Sequence, residues 1–276
     1  MSEAQDYPLG YSNEEAQRLA DQAARLEELT EDVLRRAGLR PGMHVLDIGS
    51  GTGDVSLLIA KMVGCDGAVL GVEKAPSSVE IARARVEQLG ISNVAFAGSD
   101  LADFTTDKKF DAIVGRFVLQ YVPERAVILQ RLAGYLHPGG IVAFLEVDLA
   151  QMAQIPPSPL FTQARRWMLE AFAAGGAEVE MGAKLFATFL QAGLPAPDMI
   201  AAHPVVGGPT SSGYGDLAQG LRSLLPRIEQ GRIADGAEIG IETLEGRLRE
   251  DAAANDRVLF MSRVVGAWTR LVQETP

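Results

Sequence analysis

Residues 45–53 read Val45-Leu46-Asp47-Ile48-Gly49-Ser50-Gly51-Thr52-Gly53, and this stretch decides the fold. A short apolar strand, His44 to Ile48, runs straight into a glycine-rich turn that opens a helix from Asp54 to Val63. Glycines let such a turn take positive φ and bring the backbone close to a ligand. The helix start adds unpaired N–H groups and the positive end of a dipole. Two ligand classes use turns of this kind. The dinucleotide fingerprint needs glycine at the first, third and sixth positions. Counted from Gly49, the sixth position is Asp54, whose carboxylate would face a pyrophosphate. The spacing here is Gly-x-Gly-x-Gly, with an acidic residue, Asp47, two positions before the first glycine.

Outward from the turn, apolar strands alternate with helices. Strands are expected at Ala68 to Val72, Val94 to Ala97, Phe110 to Val114 and Ile141 to Leu145. Helices are expected from Ser77 to Leu89 and from Pro123, tolerated in a first helical turn, to Leu136. His137-Pro138-Gly139-Gly140 reads as a turn. Nearly all-apolar strands separated by helices imply a parallel sheet covered on both faces. Upstream, residues 12–38 form an amphipathic helix with a Ser12/Glu15 capping box and a Gly38 stop. After Asp148 the regularity ends: a loop at 149–158, helices at 159–174 and 181–192, a strand near Met199 to Val206, two further helical stretches, and an apolar segment, Arg257 to Val265, of strand character. Three regions follow: an N-terminal helical lid segment (1–38), a ligand-binding core (39–150), and a remainder (151–276) with the last strands and a helical cap.

The chain has 276 residues, 47% of them hydrophobic, enough for one large α/β domain with a cap. A net charge of −11 argues against nucleic acid or an anionic membrane as partner, since phosphate contacts need clustered Lys and Arg. The single cysteine, Cys65, excludes an internal disulfide or a multi-cysteine zinc site, and reads as a small half-buried residue near a helix end. No spacing suggests a metal site. The polar N-terminal residues lack a secretory pattern, and no stretch approaches the roughly 20 apolar residues of a membrane span. A cytoplasmic protein is the default expectation.

The strand ends carry the chemistry. The second strand ends in Glu73, whose carboxylate can accept from both hydroxyls of a ribose. The third is followed by Gly98-Ser99-Asp100-Leu101, where Asp100 can accept from an exocyclic amine and the Leu101 backbone can address a ring. The fourth gives Phe110-Asp111-Ala112-Ile113-Val114-Gly115-Arg116, and Leu136-His137-Pro138-Gly139-Gly140 precedes the fifth. In an open α/β sheet these ends lie side by side and form the ligand crevice. In order and spacing, residues 40–148 resemble class I S-adenosylmethionine-dependent methyltransferases, and look most similar to the small-molecule group that includes quinone-biosynthesis enzymes. The resemblance implies an α/β, Rossmann-like, doubly wound, mostly parallel seven-stranded sheet with helical cap or lid insertions. It implies S-adenosyl-L-methionine as cofactor and S-adenosyl-L-homocysteine as product. It places Gly49 and Gly51 near the methionine part, Glu73 at the ribose, Asp100 and Leu101 at adenine, and Arg116 near the methionine end, and it counts Lys74 among the cofactor-binding residues. Three roles have two readings each: Asp47 orders the turn or touches ligand, Arg116 lines the crevice or pairs with Asp47 or Asp54, and Tyr11 staples the first helix or covers the cofactor.

A sulfonium methyl is already activated, so the protein mainly aligns a nucleophile about 3 Å from it and excludes water. A general base helps only a weakly acidic acceptor, and no residue is diagnostic. His44 and His137 fall at the N-terminal edge of the sheet, away from chemistry. Glu146, Asp148 and His203 are the weak catalytic candidates. The acceptor is expected to be a small, hydrophobic or aromatic molecule. Helical stripes at Phe161, Trp167, Met168 and Phe172, and at Leu185, Phe186, Phe189 and Leu190, read as core or as an apolar lid over the crevice. Three rivals remain: a non-catalytic cofactor-binding protein, a nucleic-acid methyltransferase and a nicotinamide-dependent dehydrogenase. The second lacks its Pro-Pro-aromatic loop after the fourth strand, where Arg116-Phe117-Val118-Leu119 stands, and Asp54 disfavours the third.

Overall fold

The structure is a computed structural model that describes residues 13–208 and 211–272, with side chains from residue 24 onward. Tyr11 and Ser12 lie outside the described residues. In chain order the elements are α1 (Asn13–Ala37), β1 (His44–Ile48), α2 (Asp54–Val63), β2 (Ala68–Glu73), α3 (Pro76–Gln88), β3 (Val94–Gly98), β4 (Phe110–Arg116), α4 (Arg125–Ala133) and β5 (Leu136–Asp148). They continue with β6 (Ala153–Ile155), α5 (Pro159–Ala174), α6 (Met181–Gln191), β7 (Asp198–Ala202), β8 (Val205–Gly207), α7 (Gly213–Gln230), α8 (Gly236–Ile239), α9 (Ile241–Ala254), β9 (Val258–Phe260) and β10 (Arg263–Arg270).

The chain divides into two compact units. One takes residues 16–146, 182–200 and the segment from 265 onward. Its sheet has seven strands in the order β3-β2-β1-β4-β5-β10-β7. β3, β2, β1, β4 and β5 pair in parallel, with Val45 opposite Val69 on one side and Ala112 on the other. The strand order reverses beside β1, so the switch point of this doubly wound sheet lies at the C-terminal ends of β1 and β4, where such sheets bind ligands. Strands buried on both faces need apolar side chains at nearly every position, which is why β1 reads Val45-Leu46-Asp47-Ile48 with one polar exception. One core cluster joins Leu34 and Ala37 of α1, Val45, Ile59, Val63, Val69, Phe96 and Val114. Elsewhere in the same unit Phe144 of β5 meets Phe189 of α6 edge-on, with ring centroids 6.2 Å apart. Burying side chains such as Leu46, Ile59 and Phe144 contributes roughly 1.5–3 kcal/mol each.

The other unit takes residues 147–181 and 201–264. It has an antiparallel three-stranded sheet, β6-β9-β8, in which Gln154 pairs with Leu259 and Leu259 with Val206. Helix α5 packs against β6 and α7, and α7 in turn against α9. α5 starts where it does because Ser158 accepts from Phe161 N at 3.2 Å and Pro159 takes the first turn. Phe161, Trp167, Met168 and Phe172 of α5 are all buried.

Several boundaries depart from the sequence reading. The strand expected near Met199 to Val206 is two strands, β7 and β8, in different sheets, and Arg257 to Val265 likewise divides into β9 and β10. β5 begins at Leu136, so His137-Pro138-Gly139-Gly140 lies within a strand; its pairing with β4 shifts register between Phe110 and Ala112, as Pro and Gly in a strand require. The loop at 149–158 contains β6, and α4 is shorter than expected, with a separate turn of 3-10 helix at Leu119–Tyr121. On the apolar stripe of α6, Leu185 and Phe189 are buried but Phe186 and Leu190 are exposed. Cys65 is exposed rather than half-buried.

Candidate active site

The glycine turn has the conformation its sequence requires. Gly49 and Gly51 have φ of 63° and 53°, values that an L side chain rarely adopts. The two differ in surroundings. A Cβ on Gly49 would lie 2.4 Å from Val118 Cγ2, so that glycine exists for close packing against the loop after β4. Around Gly51 no atom lies within 4 Å of the equivalent position, so the turn keeps an open face there. That open face lets a ligand approach the backbone closely at Gly51.

Glu73, at the end of β2, reaches back to this turn. Its Oε2 accepts from Gly51 N at 3.1 Å and its Oε1 from Ala75 N at 2.9 Å. An ionised carboxylate has about four acceptor positions, so two remain for a ligand. Lys74 beside it is exposed. Asp54, the residue that spoiled the dinucleotide pattern, is engaged by Arg85 of α3 at 2.8 Å, and the same guanidinium donates to Thr52 O at 2.6 Å. That pair fixes the start of α2.

Asp47 is fully buried beneath the turn. Ser56 Oγ donates to its Oδ2 at 2.5 Å. Burial pushes its carboxyl up to about 7, with the Ser56 hydroxyl and the Arg116 guanidinium working the other way. Arg116 ends β4. Burial lowers its pKa, opposed by the charges of Asp54, Asp47 and Glu27. Its Nη1 donates to Thr30 Oγ1 of α1 at 3.0 Å. Arg116 thus sits in the field of Asp54 and Asp47, while its hydrogen bond goes to α1, which the sequence did not indicate.

At the end of β3, Asp100 is exposed and its Oδ1 accepts from Ala102 N at 2.8 Å. The following loop is braced by Arg131 of α4, which donates to Leu101 O and, at 2.7 Å, to Phe104 O. Glu146, at the end of β5, is fully buried; its Oε1 accepts from Val118 N at 3.0 Å and Leu119 N at 2.8 Å.

Asp47, Gly49, Gly51, Glu73, Asp100, Leu101, Arg116 and Glu146 therefore all belong to the seven-stranded unit, at the strand ends beside the switch point. Asp148 and His203 belong to the other unit. Asp148 is fully buried and bound by Arg263 Nε and Nη2 at 3.0 and 2.6 Å. His203 is exposed in the break between β7 and β8, its ring 5.4 Å from that of Phe260. Sequence reasoning missed Val118, Arg131 and Arg85, all of which act across 27 or more residues of chain; only the geometry of the fold could have found them. Among the described residues no group of three or more His, Cys, Asp and Glu is arranged to hold a metal ion, and no helix is long and apolar enough to cross a membrane.

A methyltransferase-domain family model matches residues 39–181, more than half of the chain. The chain belongs to this methyltransferase family. It is similar to the 2-phytyl-1,4-naphtoquinone methyltransferase of Synechococcus elongatus, 30% identical over 196 residues that span 67% of this chain and 79% of that one. It is 38% identical to the trans-aconitate 2-methyltransferase of Methylobacterium radiotolerans over 112 residues, 41% of each chain, so that match spans less than half of the relative. A solved SAM-dependent methyltransferase of Aquifex aeolicus shares the fold, with a TM-score of 0.51 at 24% identity over 71% of this chain and 93% of that one. The resemblance to class I S-adenosylmethionine-dependent methyltransferases, the Rossmann-like sheet and the cofactor that the resemblance implies are all correct. The open face at Gly51 and the spare acceptor positions of Glu73 fit that cofactor.

Proposed function

We propose that this protein transfers the methyl group of S-adenosylmethionine to a small, apolar or aromatic metabolite. The observation that carries the acceptor class is the extent of the similarity to the naphtoquinone methyltransferase. Its 196 residues cannot fit within the cofactor-binding stretch of 39–150, so it reaches into the part of the chain that lies beyond the cofactor fingerprint. A shared cofactor fold alone would say nothing about the acceptor.

The bound cofactor supplies an electrophilic methyl on a cationic sulfur, and the protein supplies position and a dry site. In this reading Gly49 and Gly51 take the methionine part, with Asp47 and Arg116 at its end. Glu73 accepts from the ribose hydroxyls while still bonded to Gly51 N, so cofactor and turn are held by one carboxylate. Lys74 flanks the ribose, and Asp100 with the Leu101 backbone takes adenine. Asp148, already paired with Arg263, is suited to holding structure, and His203 is the remaining free-standing candidate base. The domain roles expected for 1–38 and 151–276, a cytoplasmic setting and the absence of nucleic-acid partners belong to the same reading.

Calorimetric titration with S-adenosylmethionine, S-adenosylhomocysteine and NAD tests the cofactor half. Micromolar binding of both sulfur ligands and none of NAD is expected. A methyl-transfer assay on a panel of hydroquinones, phenols and small carboxylic acids tests the other half. Turnover confined to the carboxylic acids would refute the apolar acceptor.

A further inference from the structure

The loop after β4 is held in an uncommon shape by the buried carboxyl of Glu146. Phe117 has φ of 58°, a left-handed conformation uncommon for a residue with a side chain. Its N–H donates to Leu145 O at 2.9 Å, and its carbonyl accepts from Gln120 Nε2 at 3.2 Å. The kink turns the next two N–H groups inward, where Glu146 Oε1 accepts both. It also drives the Val118 side chain onto the first glycine of the cofactor turn and onto Gly115, where added Cβ atoms would lie 2.4 and 2.9 Å from Val118 methyl carbons.

We propose that Glu146 is a positioning residue for the cofactor turn: by bonding the backbone of Val118 and Leu119 it keeps Val118 wedged against Gly49. The turn then has two supports, Glu73 on Gly51 from one side and the Glu146-held Val118 on Gly49 from the other. Glu146 acts through Val118. Its second oxygen, Oε2, is buried with no hydrogen-bond partner among the described residues. An ionised oxygen left so would be costly, which suits a neutral acid. Burial does push this carboxyl up to about 8, against the Leu119, Val118 and Gln120 N–H groups and the charge of Arg125. A neutral acid that serves as an acceptor has an uncharged isostere, glutamine, and this separates positioning from base catalysis.

The test is S-adenosylhomocysteine affinity by calorimetry at pH 7 for Glu146→Gln, Glu146→Leu and Val118→Ala, with amide hydrogen exchange on the ligand-free proteins. Glutamine should bind within about twofold of wild type. Leucine should bind at least about tenfold more weakly and exchange faster at Ser50 and Gly51, beyond the loop it touches. Val118→Ala, which leaves the carboxyl intact, should weaken binding at least about fivefold and decides the matter if the leucine variant does not fold. Wild-type affinity in Val118→Ala, or a glutamine variant as weak as leucine, would overturn the proposal.

Discussion

The two sheets of this protein are built in opposite ways. In the seven-stranded sheet, β1 to β5 come in order along the chain, a helix or loop apart, and the residues proposed to face the ligand sit at successive strand ends. In the three-stranded sheet, β6, β8 and β9 are three residues long and come from distant parts of the chain. Two of them, β8 and β9, share an apolar segment with a strand of the larger sheet, β7 and β10. The first design fixes a site locally, so its residues can be read in sequence; the second depends on pairings across about 50 to 100 positions.

Substitutions can break this contrast, and the largest effect should come from Gly49→Ala. It forces a Cβ to within 2.4 Å of Val118 at a positive φ. Overpacking and backbone strain together predict a loss of about 4 kcal/mol, read by urea denaturation, with S-adenosylhomocysteine binding abolished. Next, Arg263→Met in the other unit removes the guanidinium from the fully buried Asp148. Stability should fall by about 3 kcal/mol while cofactor affinity stays within about twofold. A matching loss of affinity would show that the two regions are not energetically separable.

Glu73→Ala removes the acceptor for Gly51 N and, in the proposed reading, for the ribose. Affinity for S-adenosylhomocysteine should drop at least about tenfold, or roughly 1.4 kcal/mol, with a much smaller change in melting temperature. The pH dependence follows from Asp47 and Glu146, raised to about 7 and about 8. Between their ordinary values and these, the folded protein holds more protons than the unfolded chain, so stability falls as pH rises through 7 and 8. Glu146→Gln should remove its share, on the order of 4 kcal/mol between pH 5 and pH 9, as measured by denaturation at both. His203→Ala, at an exposed residue that meets Phe260 edge-on, should change stability by under about 0.5 kcal/mol; a hundredfold loss of methyl transfer in that variant would make it the base.

How much was legible depended on how far each signal had to travel. The β1 turn, Glu73 and Asp100 could be read because a strand end, a glycine and a carboxylate lie within a few residues of one another. Glu146 was recognised only as a carboxylate on the correct edge of the sheet; that its target is the Val118 and Leu119 backbone depends on where β4 ends and how Phe117 kinks. The segments near 199–206 and 257–265 each read as one apolar strand, because hydrophobicity marks a strand without naming its neighbour. His203-Pro204 and Met261-Ser262 divide them, and Met261 N donates to Pro204 O at 2.9 Å across the two breaks. A proline and a short polar pause gave too weak a local signal to show that the chain changes sheets there.

One feature of the strand order reaches into biosynthesis. β10 lies between β5 and β7, so β7 has no neighbour in its sheet until residues 263–270 have been made. A ribosome releases the cofactor-binding strands β1 to β5 early, in an order that lets them pair as they emerge. β5 meanwhile keeps an open edge of unpaired N–H and carbonyl groups, and such edges recruit foreign strands. Translation that stalls between residues 150 and 260 would therefore leave a nascent chain with its cofactor turn formed and a sticky flank, dependent on chaperones until the last strand slides in.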